Sequence, residues 1–346
     1  MPDSIASSQG ADDSCQRGLL YLCVNLVRSK YQAAYDGEQQ AADWLKLTAA
    51  SYASGNSHDR AFSLVAKSYW MCLSVVGDSD VRDLHRAAQL GIEVFPSLMA
   101  ILQSLSDSTN VYGALAWVIG LCYQYGLGTA GNKHQAVHLY QQSASFGLVE
   151  AQYQLGMCYQ QGQGVIADYT VAYDWLTKAG EQGHVEAQFK VGYGYAQGTH
   201  LPQDYSKAVF WLSKAAERNH IEAQTNLAYC YANGFGTQIE SARAFDLYIR
   251  AADKGFVNAQ INVAYCYKIG RSVDQDFTKA AEWYGKAAIQ GNMDAQFELS
   301  ILLLNGTGVT QNRREASVWL RKAAAQNHLT AISKLAELDK VASDYI

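Results

Sequence analysis

Apolar and small residues recur along most of this chain at helical spacing, in short segments separated by glycine-containing loops. Within residues 151–161, the apolar positions Ala151, Leu155 and Tyr159 are four residues apart, which puts them on one face of a helix. A second apolar segment follows at about 169–182, after a loop that contains two glycines. Glycine at a helix end adopts the left-handed conformation without a Cβ clash. The pattern therefore predicts a helical hairpin.

The hairpin repeats with a period of 36 residues, six times without an insertion. One position is always small, and it holds Gly120, Gly156, Gly192, Ala228, Ala264 and Ser300. A position three residues later holds Tyr123, Tyr159, Tyr195, Tyr231, Tyr267 and Leu303. One position of the second helix holds Leu139, Trp175, Trp211, Leu247, Trp283 and Trp319. The position three residues later holds Gln142, Lys178, Lys214, Arg250, Lys286 and Lys322. Because one hairpin cannot bury both of its apolar faces, the period predicts stacked hairpins in an all-α solenoid.

Polar residues at fixed places define where the second helices begin and end. The residues at the expected start are Asn132, Asp168, Asp204, Glu240, Asp276 and Asn312. Asp and Asn are favoured there because their side chains accept a hydrogen bond from a free backbone N–H. The residues at the expected end are Gly147, Gly183, Asn219, Gly255, Gly291 and Asn327. Glycine and asparagine both tolerate the left-handed conformation that closes a helix.

The repeated pattern resembles that of the Sel1-like repeat family, relatives of the tetratricopeptide repeat. It reads A-x-x-x-L-G-x-x-Y-x-x-G-x-G-V, then a variable loop, then K-A-x-x-W-[LY]-x-K-A-A-x-x-G-[HN]-x-x-A-Q, with close matches at 151–165, 207–216 and 279–288. The resemblance covers about 114–332 and implies a right-handed α-solenoid whose first helices line the concave face. Residues 200–202 and 270–272 depart from the loop pattern, so we expect differently shaped loops there.

The rest of the chain divides around these repeats. Residues 1–17 are rich in Ser, Asp and Gln and are predicted to form a flexible tail. Residues 18–112 are interpreted as divergent helical repeats or an N-terminal cap, with a separate small domain as the alternative; 86–91 resemble 250–255, and 107–112 are the expected joint. Six repeats fill 113–332, and residues 333–346 are predicted to form a capping helix.

Composition narrows the class of protein further. The 346 residues carry a net charge of −5, and 17% of them are charged, which argues against a nucleic-acid partner. No apolar run reaches the length that a membrane span requires, so we expect no membrane-spanning helix. The first 14 residues contain three Asp and no Lys or Arg, unlike a signal peptide.

Cysteine usage indicates a reducing compartment. Four of the seven cysteines occupy one repeat position: Cys122, Cys158, Cys230 and Cys266. Equivalent helices lie about 8–10 Å apart, farther than a disulfide can span, so we expect small core side chains and no pairing among them. We therefore expect a cytoplasmic protein. Delivery to a host cytosol without a cleaved signal peptide remains an open alternative.

No group of residues has the spacing of a catalytic or metal site. The sequence Gly126-x-Gly128-x-x-Gly131 matches a dinucleotide-binding fingerprint, but it follows a helix rather than a strand. His134 and His138 are four residues apart with no further ligand nearby. We expect no catalytic residue, no metal and no small-molecule cofactor, and we interpret His184, His220 and His328 as turn residues.

Positions that the repeat does not fix are the candidates for partner binding. On the first helices, the face opposite the apolar core carries Lys190, Tyr193, Asn226, Tyr229, Asn262 and Tyr265. Tyrosine is common at interfaces, and asparagine can hydrogen-bond a peptide backbone. The alternative is that the tyrosines pack between neighbouring first helices.

These features favour a monomeric, non-enzymatic scaffold or adaptor that binds a protein or peptide in a preformed concave groove, including a bacterial effector that binds host proteins. Two other hypotheses remain open. One is an immunity or inhibitor protein that blocks a partner enzyme. The other is a regulatory subunit or small enzyme whose active part lies in 18–112.

Overall fold

The structure is a computed structural model that describes residues 64, 67–69, 71–72, 84–104 and 110–343. These residues form α-helices joined by loops, and no strand occurs among them. The expected tail at 1–17 and most of the region 18–83 lie outside the described residues. The chain divides into two compact units, Met1–His184 and Val185–Ile346, and the division coincides with a repeat boundary.

The described residues of the first unit include five long helices. They are α1 (Leu84–Ser104), α2 (Asn110–Tyr125), α3 (Lys133–Ser145), α4 (Val149–Gln161) and α5 (Tyr169–Glu181). α2 and α3 form one hairpin, α4 and α5 form the next, and α3 packs against α4 between them. Trp117, Tyr140 and Leu155 are among the largest fully buried side chains of its core.

The second unit continues with the same hairpins. Its helices are α6 (Val185–Gln197), α7 (Tyr205–Glu217), α8 (Ile221–Asn233), α9 (Ser241–Asp253), α10 (Val257–Ile269), α11 (Phe277–Ile289), α12 (Met293–Asn305), α13 (Arg313–Ala325) and α14 (Leu329–Ser343). From α6 to α14, each helix of this unit packs against the next one along the chain, and the first helices α6 and α8 also contact each other. This consecutive packing confirms the predicted all-α solenoid arrangement within the unit.

The small position of each first helix lets the two helices of a hairpin approach closely. A Cβ atom on Gly156 would lie 2.8 Å from Cγ of Leu176, and one on Gly192 would lie 2.9 Å from Cγ of Leu212. All six residues at this position are buried. Their size is therefore fixed by the packing of the second helix of the same hairpin.

The predicted caps are confirmed at five of the six second helices. The capping side chains belong to Asn132, Asp168, Asp204, Asp276 and Asn312. Glu240 is the exception, since its side chain makes no cap hydrogen bond and instead accepts one from Arg243 at 2.8 Å. The extra methylene of glutamate carries the carboxylate past the backbone N–H groups that aspartate reaches.

One expectation about a loop is wrong, and the resemblance of 86–91 to 250–255 does not extend to the end of the helix. Gly91 does not end a helix as Gly255 does, because α1 continues through it to Ser104. A Cβ atom there would lie 2.7 Å from Cβ of Leu127, so the glycine serves a close contact. Ser272 adopts φ +69°, the same left-handed conformation as Gly164 in its own loop, so this residue keeps the shape without glycine.

The other departing loop and the end of the repeat array differ from the regular pattern. The helix before the 200–202 loop ends as in the second repeat, since Gly198 donates to the Gly194 carbonyl as Gly162 donates to Cys158, but His200 does not adopt the positive φ of its equivalent, Gly164. The expected C-terminal helix begins at Leu329, four residues before the predicted 333. It lies where the first helix of another hairpin would begin, and it buries Ala331 in the last apolar cluster.

A buried glutamine near the start of the first helix connects successive second helices. The side-chain amides of four such residues donate to carbonyls at the end of the preceding helix, 3.1–3.4 Å away: Gln152 to Ala144, Gln224 to Ala216, Gln260 to Ala252 and Gln296 to Ala288. Three of the side-chain oxygens accept from a glutamine 30 residues later, 2.8–3.1 Å away: Gln152 from Gln182, Gln260 from Gln290 and Gln296 from Gln326.

The fourth repeat lacks the second of these bonds. Its corresponding residue is Lys254, and Oε1 of Gln224 is buried with no hydrogen-bond partner among the described residues. A buried acceptor without a donor costs about 1–3 kcal/mol. The lysine therefore leaves this interface without a bond that the second, fifth and sixth repeats make.

We predict that Lys254→Gln stabilises the protein by about 1 kcal/mol, because it supplies the missing N–H donor to Gln224. The free energy of unfolding from urea titration measures the effect. Lys254→Met removes the same charge without adding a donor and should give no such gain. Equal stability of the glutamine and methionine variants would contradict the prediction.

The cysteines at the shared repeat position lie in the core, as the sequence predicted. Cys122, Cys158, Cys230 and Cys266 are buried and free. Burial raises the pKa of the Cys122 thiol to about 12 and that of the Cys158 thiol to about 11. Because the thiolate is the reactive form, these side chains are inert in the folded protein.

We expect Cys122 and Cys158 to react with N-ethylmaleimide at pH 8 at least about a hundredfold more slowly in the folded protein than in denaturant. The reason is that each unit by which the pKa is raised lowers the fraction of thiolate about tenfold. Peptide mapping by mass spectrometry gives the rate for each cysteine. Rapid labelling of Cys158 in the folded state would show that this helix face is open to solvent.

Candidate protein-binding face

The six candidate residues lie on one side of three neighbouring first helices. We call this set the first-helix ladder: Lys190 and Tyr193 on α6, Asn226 and Tyr229 on α8, and Asn262 and Tyr265 on α10. The tyrosine side chains are 43%, 53% and 46% exposed in chain order. The other three residues are half-buried. The structure thus places all six in the second unit, with their tyrosine rings open to solvent.

Local contacts hold two of these rings in place from one side. Tyr193 lies against Phe189, one turn earlier, with ring centroids 5.8 Å apart. Tyr229 lies 5.7 Å from Phe235 in the following loop, and Phe235 in turn stacks on Tyr205 at 4.8 Å. A ring held on one face and exposed on the other loses little conformational entropy when it contacts a partner.

The two asparagines use part of their hydrogen-bonding capacity within their own helices. Nδ2 of Asn226 donates to the Glu222 carbonyl at 2.8 Å, and Nδ2 of Asn262 donates to the Asn258 carbonyl at 2.7 Å. A carboxamide has a second N–H and an acceptor oxygen. Each side chain is therefore oriented by its helix and keeps groups suited to a partner backbone.

Charged groups connect the ladder to the start of the next hairpin. Lys190 lies 3.4 Å from the Glu186 carboxylate, which also lies 2.9 Å from Nε2 of His220. Burial raises the pKa of Glu186, but the hydrogen bond from His220 and the charge of Lys190 outweigh it, so the net shift is downward. This network joins α6 to the residue that precedes α8.

The repeated histidines have a defined structural role that the sequence reading missed. His220 stacks on Phe189 with ring centroids 4.5 Å apart, and its Nδ1 accepts a hydrogen bond from the backbone N–H of Ala223. His328 stacks on Phe297 at 4.7 Å and caps α14 in the same way. An aromatic residue 31 positions before each histidine was the available signal.

The basic positions of the second helices are held over aromatic rings. The Nζ atoms of Lys178, Lys286 and Lys322 lie 4.1, 3.5 and 4.1 Å from the ring centroids of Trp175, Trp283 and Trp319. Lys214 lies over both Phe210 and Trp211. These cation–π contacts give the basic series a role in packing.

Metal binding and membrane crossing are two further possibilities for the described residues. No group of three or more His, Cys, Asp or Glu side chains in this part of the chain is arranged to hold a metal ion. Within the same residues, none of the helices combines the length and the apolar character that crossing a bilayer requires.

Comparisons with known proteins agree with the repeat pattern. The family model for the Sel1 repeat matches residues 114–145, 149–184, 185–220, 221–256, 257–292 and 294–328. No protein with a curated description matches the chain.

Two solved structures resemble the chain in fold and sequence. The first is a protective antigen of uropathogenic Escherichia coli strains that displays an SLR fold, with 29% identity and a TM-score of 0.65 over 86% of this chain; the match spans 59% of that chain's length. The second is a Sel1 repeat protein from Oxalobacter formigenes, with 30% identity and a TM-score of 0.56 over 68% of this chain and 96% of that one.

We predict that Glu186→Gln lowers the free energy of unfolding at pH 7 by about 1–2 kcal/mol, since hydrogen bonds to charged groups contribute about that much. Because the pKa of Glu186 is depressed in the folded state, its contribution is present above the ordinary glutamate pKa and is lost as the pH falls through the folded value.

The stability difference between Glu186→Gln and the unaltered protein should therefore shrink below about pH 4. Urea titrations at pH 7, 5 and 3 measure it, with Glu217→Gln on an exposed carboxylate as the control. A difference that does not change with pH would contradict the role of the ionised carboxylate.

Proposed function

Because the chain belongs to the Sel1 repeat family, we propose that it is a non-enzymatic protein-binding scaffold that captures a partner peptide on its first-helix ladder. The family model matches more than half of the chain, and repeats of this family typically serve protein–protein interaction. The resemblance read from the repeats is thus confirmed, while the ladder as the binding surface is our proposal.

The observation that carries the proposal is the three equivalent tyrosines, each about half exposed, on helices whose opposite faces are buried. Tyr193, Tyr229 and Tyr265 recur at the repeat spacing, directly after the buried small position of each first helix. Exposed apolar surface that continues over neighbouring elements marks interaction sites, and tyrosine is enriched among residues that dominate binding energy. A repeated exposed tyrosine is best explained by contact with a partner.

Repeat spacing restricts the shape of the partner. Neighbouring first helices lie about 8–10 Å apart in packed helical structures. A peptide in the extended polyproline II conformation rises about 3.1 Å per residue with three residues per turn, so every third side chain would meet successive tyrosines. The half-buried asparagines beside them can bond the peptide backbone between these contacts. We therefore propose an extended segment with an apolar or aromatic residue at every third position.

We predict that changing Asn226 and Tyr229 together to Ala weakens partner binding by at least about tenfold, equivalent to about 1.4 kcal/mol. Partners would be captured from lysate of the native host on immobilised full-length protein and identified by mass spectrometry. Dissociation constants for the recovered partner with each variant then give the effect.

Phe210→Ala is the matched control, since Phe210 is 54% exposed, much as Tyr229 is, but lies on the second helix α7. It should change affinity less than about twofold, which corresponds to about 0.4 kcal/mol. Circular dichroism should show unchanged helix content in the double variant, because both residues face away from the core. Full binding by the double variant would reject the ladder as the binding surface.

A further inference from the structure

Four second helices fill the same position with an indole ring beneath a cation. The rings belong to Trp175, Trp211, Trp283 and Trp319, and the ammonium groups three residues later lie 3.5–5.2 Å from their centroids. In the second unit, Trp283 packs partly buried against the core of the preceding hairpin. The chain itself therefore shows which side chain this position accommodates.

The fourth repeat keeps the cation but lacks the ring. Leu247 replaces the tryptophan, and Arg250 occupies the place of the lysine. Arg250 is exposed and has no ring contact or ion pair among the described residues. The first repeat differs, since it has Leu139 with the uncharged Gln142. Arg250 is thus a cation placed for an aromatic partner that its own repeat does not provide.

A cavity of about 340 Å³ lies at this place, between α7 and α9. Leu227, Tyr231 and Leu247 supply apolar wall, and Arg250 lies at its edge. The volume is at the lower end of the range for ligand pockets, about 300–1,000 Å³, and suits a single large side chain. Leucine is smaller than an indole, so Leu247 leaves more of this space open than a tryptophan would.

The polar residues of this cavity complement an indole rather than a simple aromatic ring. Glu217 and Asp246 line it, and their carboxylates accept hydrogen bonds. An indole has a single N–H donor and a face that attracts cations. The other guanidinium, that of Arg243, already bonds Glu240 and lies 4.7 Å from the ring centroid of Tyr231. Arg250 is therefore the cation available to a bound ring.

We propose that this cavity, the indole cavity lined by Leu227, Tyr231, Leu247 and Arg250, binds a tryptophan side chain of a partner protein. The bound indole occupies the space that tryptophan fills in the other repeats, with Arg250 over its face and its N–H directed to Glu217 or Asp246. This site lies on the second helices and is separate from the first-helix ladder. It would give the scaffold a second, independent contact.

The test uses the full-length protein and a small probe, N-acetyl-5-fluorotryptophan amide, followed by fluorine NMR so that the protein's own tryptophans stay silent. We expect saturable binding in the millimolar range, as suits a single side chain without its protein. N-acetyl-leucinamide should compete poorly. Arg250→Gln should weaken binding about two- to fivefold, the size of an exposed cation–π contact.

Leu247→Trp is the decisive variant, because it fills the cavity from within the chain. It should abolish probe binding while the protein keeps its helix content and melts at the same or a higher temperature. Lys286→Gln, which changes a cation over an indole already in place, is the matched control and should bind the probe as the unaltered protein does.

Three results would overturn the proposal: no saturable binding, unchanged binding by the Leu247→Trp variant, or equal competition by N-acetyl-leucinamide. Loss of folding in the Leu247→Trp variant would also count against it, since the other repeats accommodate the same side chain. None of these outcomes depends on the first-helix ladder, so this site and the proposed function fail or succeed separately.

Discussion

The buried glutamine near the start of five first helices, at 152, 188, 224, 260 and 296, is the interaction on which the stacking depends. Hairpins of a solenoid contact only their neighbours, so each interface needs its own specificity. Apolar packing supplies attraction but little directionality. The amide of Gln260 bonds Ala252 at the end of the helix before it, and its oxygen accepts from Gln290 after the helix that follows. One side chain thereby fixes the order and spacing of three helices.

The sequence alone predicted the helices and their order well, because six copies of the repeat show the same pattern of apolar, small and capping residues. Capping by Asp168 and close packing at Gly156 were predicted from residue type and confirmed. Long-range contacts were not predictable in this way. Gly91 has the appearance of a helix end, but it contacts Leu127 far along the chain, and only the folded structure brings the two together.

In the candidate site, too, some features could be predicted from the local sequence and others could not. The 36-residue repeat places three tyrosines opposite the core, and their exposure follows from that position: Tyr193, Tyr229 and Tyr265. The contact between Glu186 and His220 does not, since it joins residues 34 positions apart and depends on the angle at which one hairpin meets the next. Interactions within a hairpin are encoded locally, whereas those between hairpins are geometric consequences of stacking.

Departures from the repeat are concentrated in one helix, α9 and its ends. Glu240 does not cap it, Leu247 lacks the indole of four other repeats, and Lys254 leaves the Gln224 oxygen without a donor. Each change removes an interaction that the chain makes with itself elsewhere. A segment with fewer internal bonds opens more readily, and ligand-binding elements are commonly drawn from such segments. A partner that supplies the missing ring would therefore stabilise α9 as it binds, which connects the missing internal bonds of this repeat to recognition.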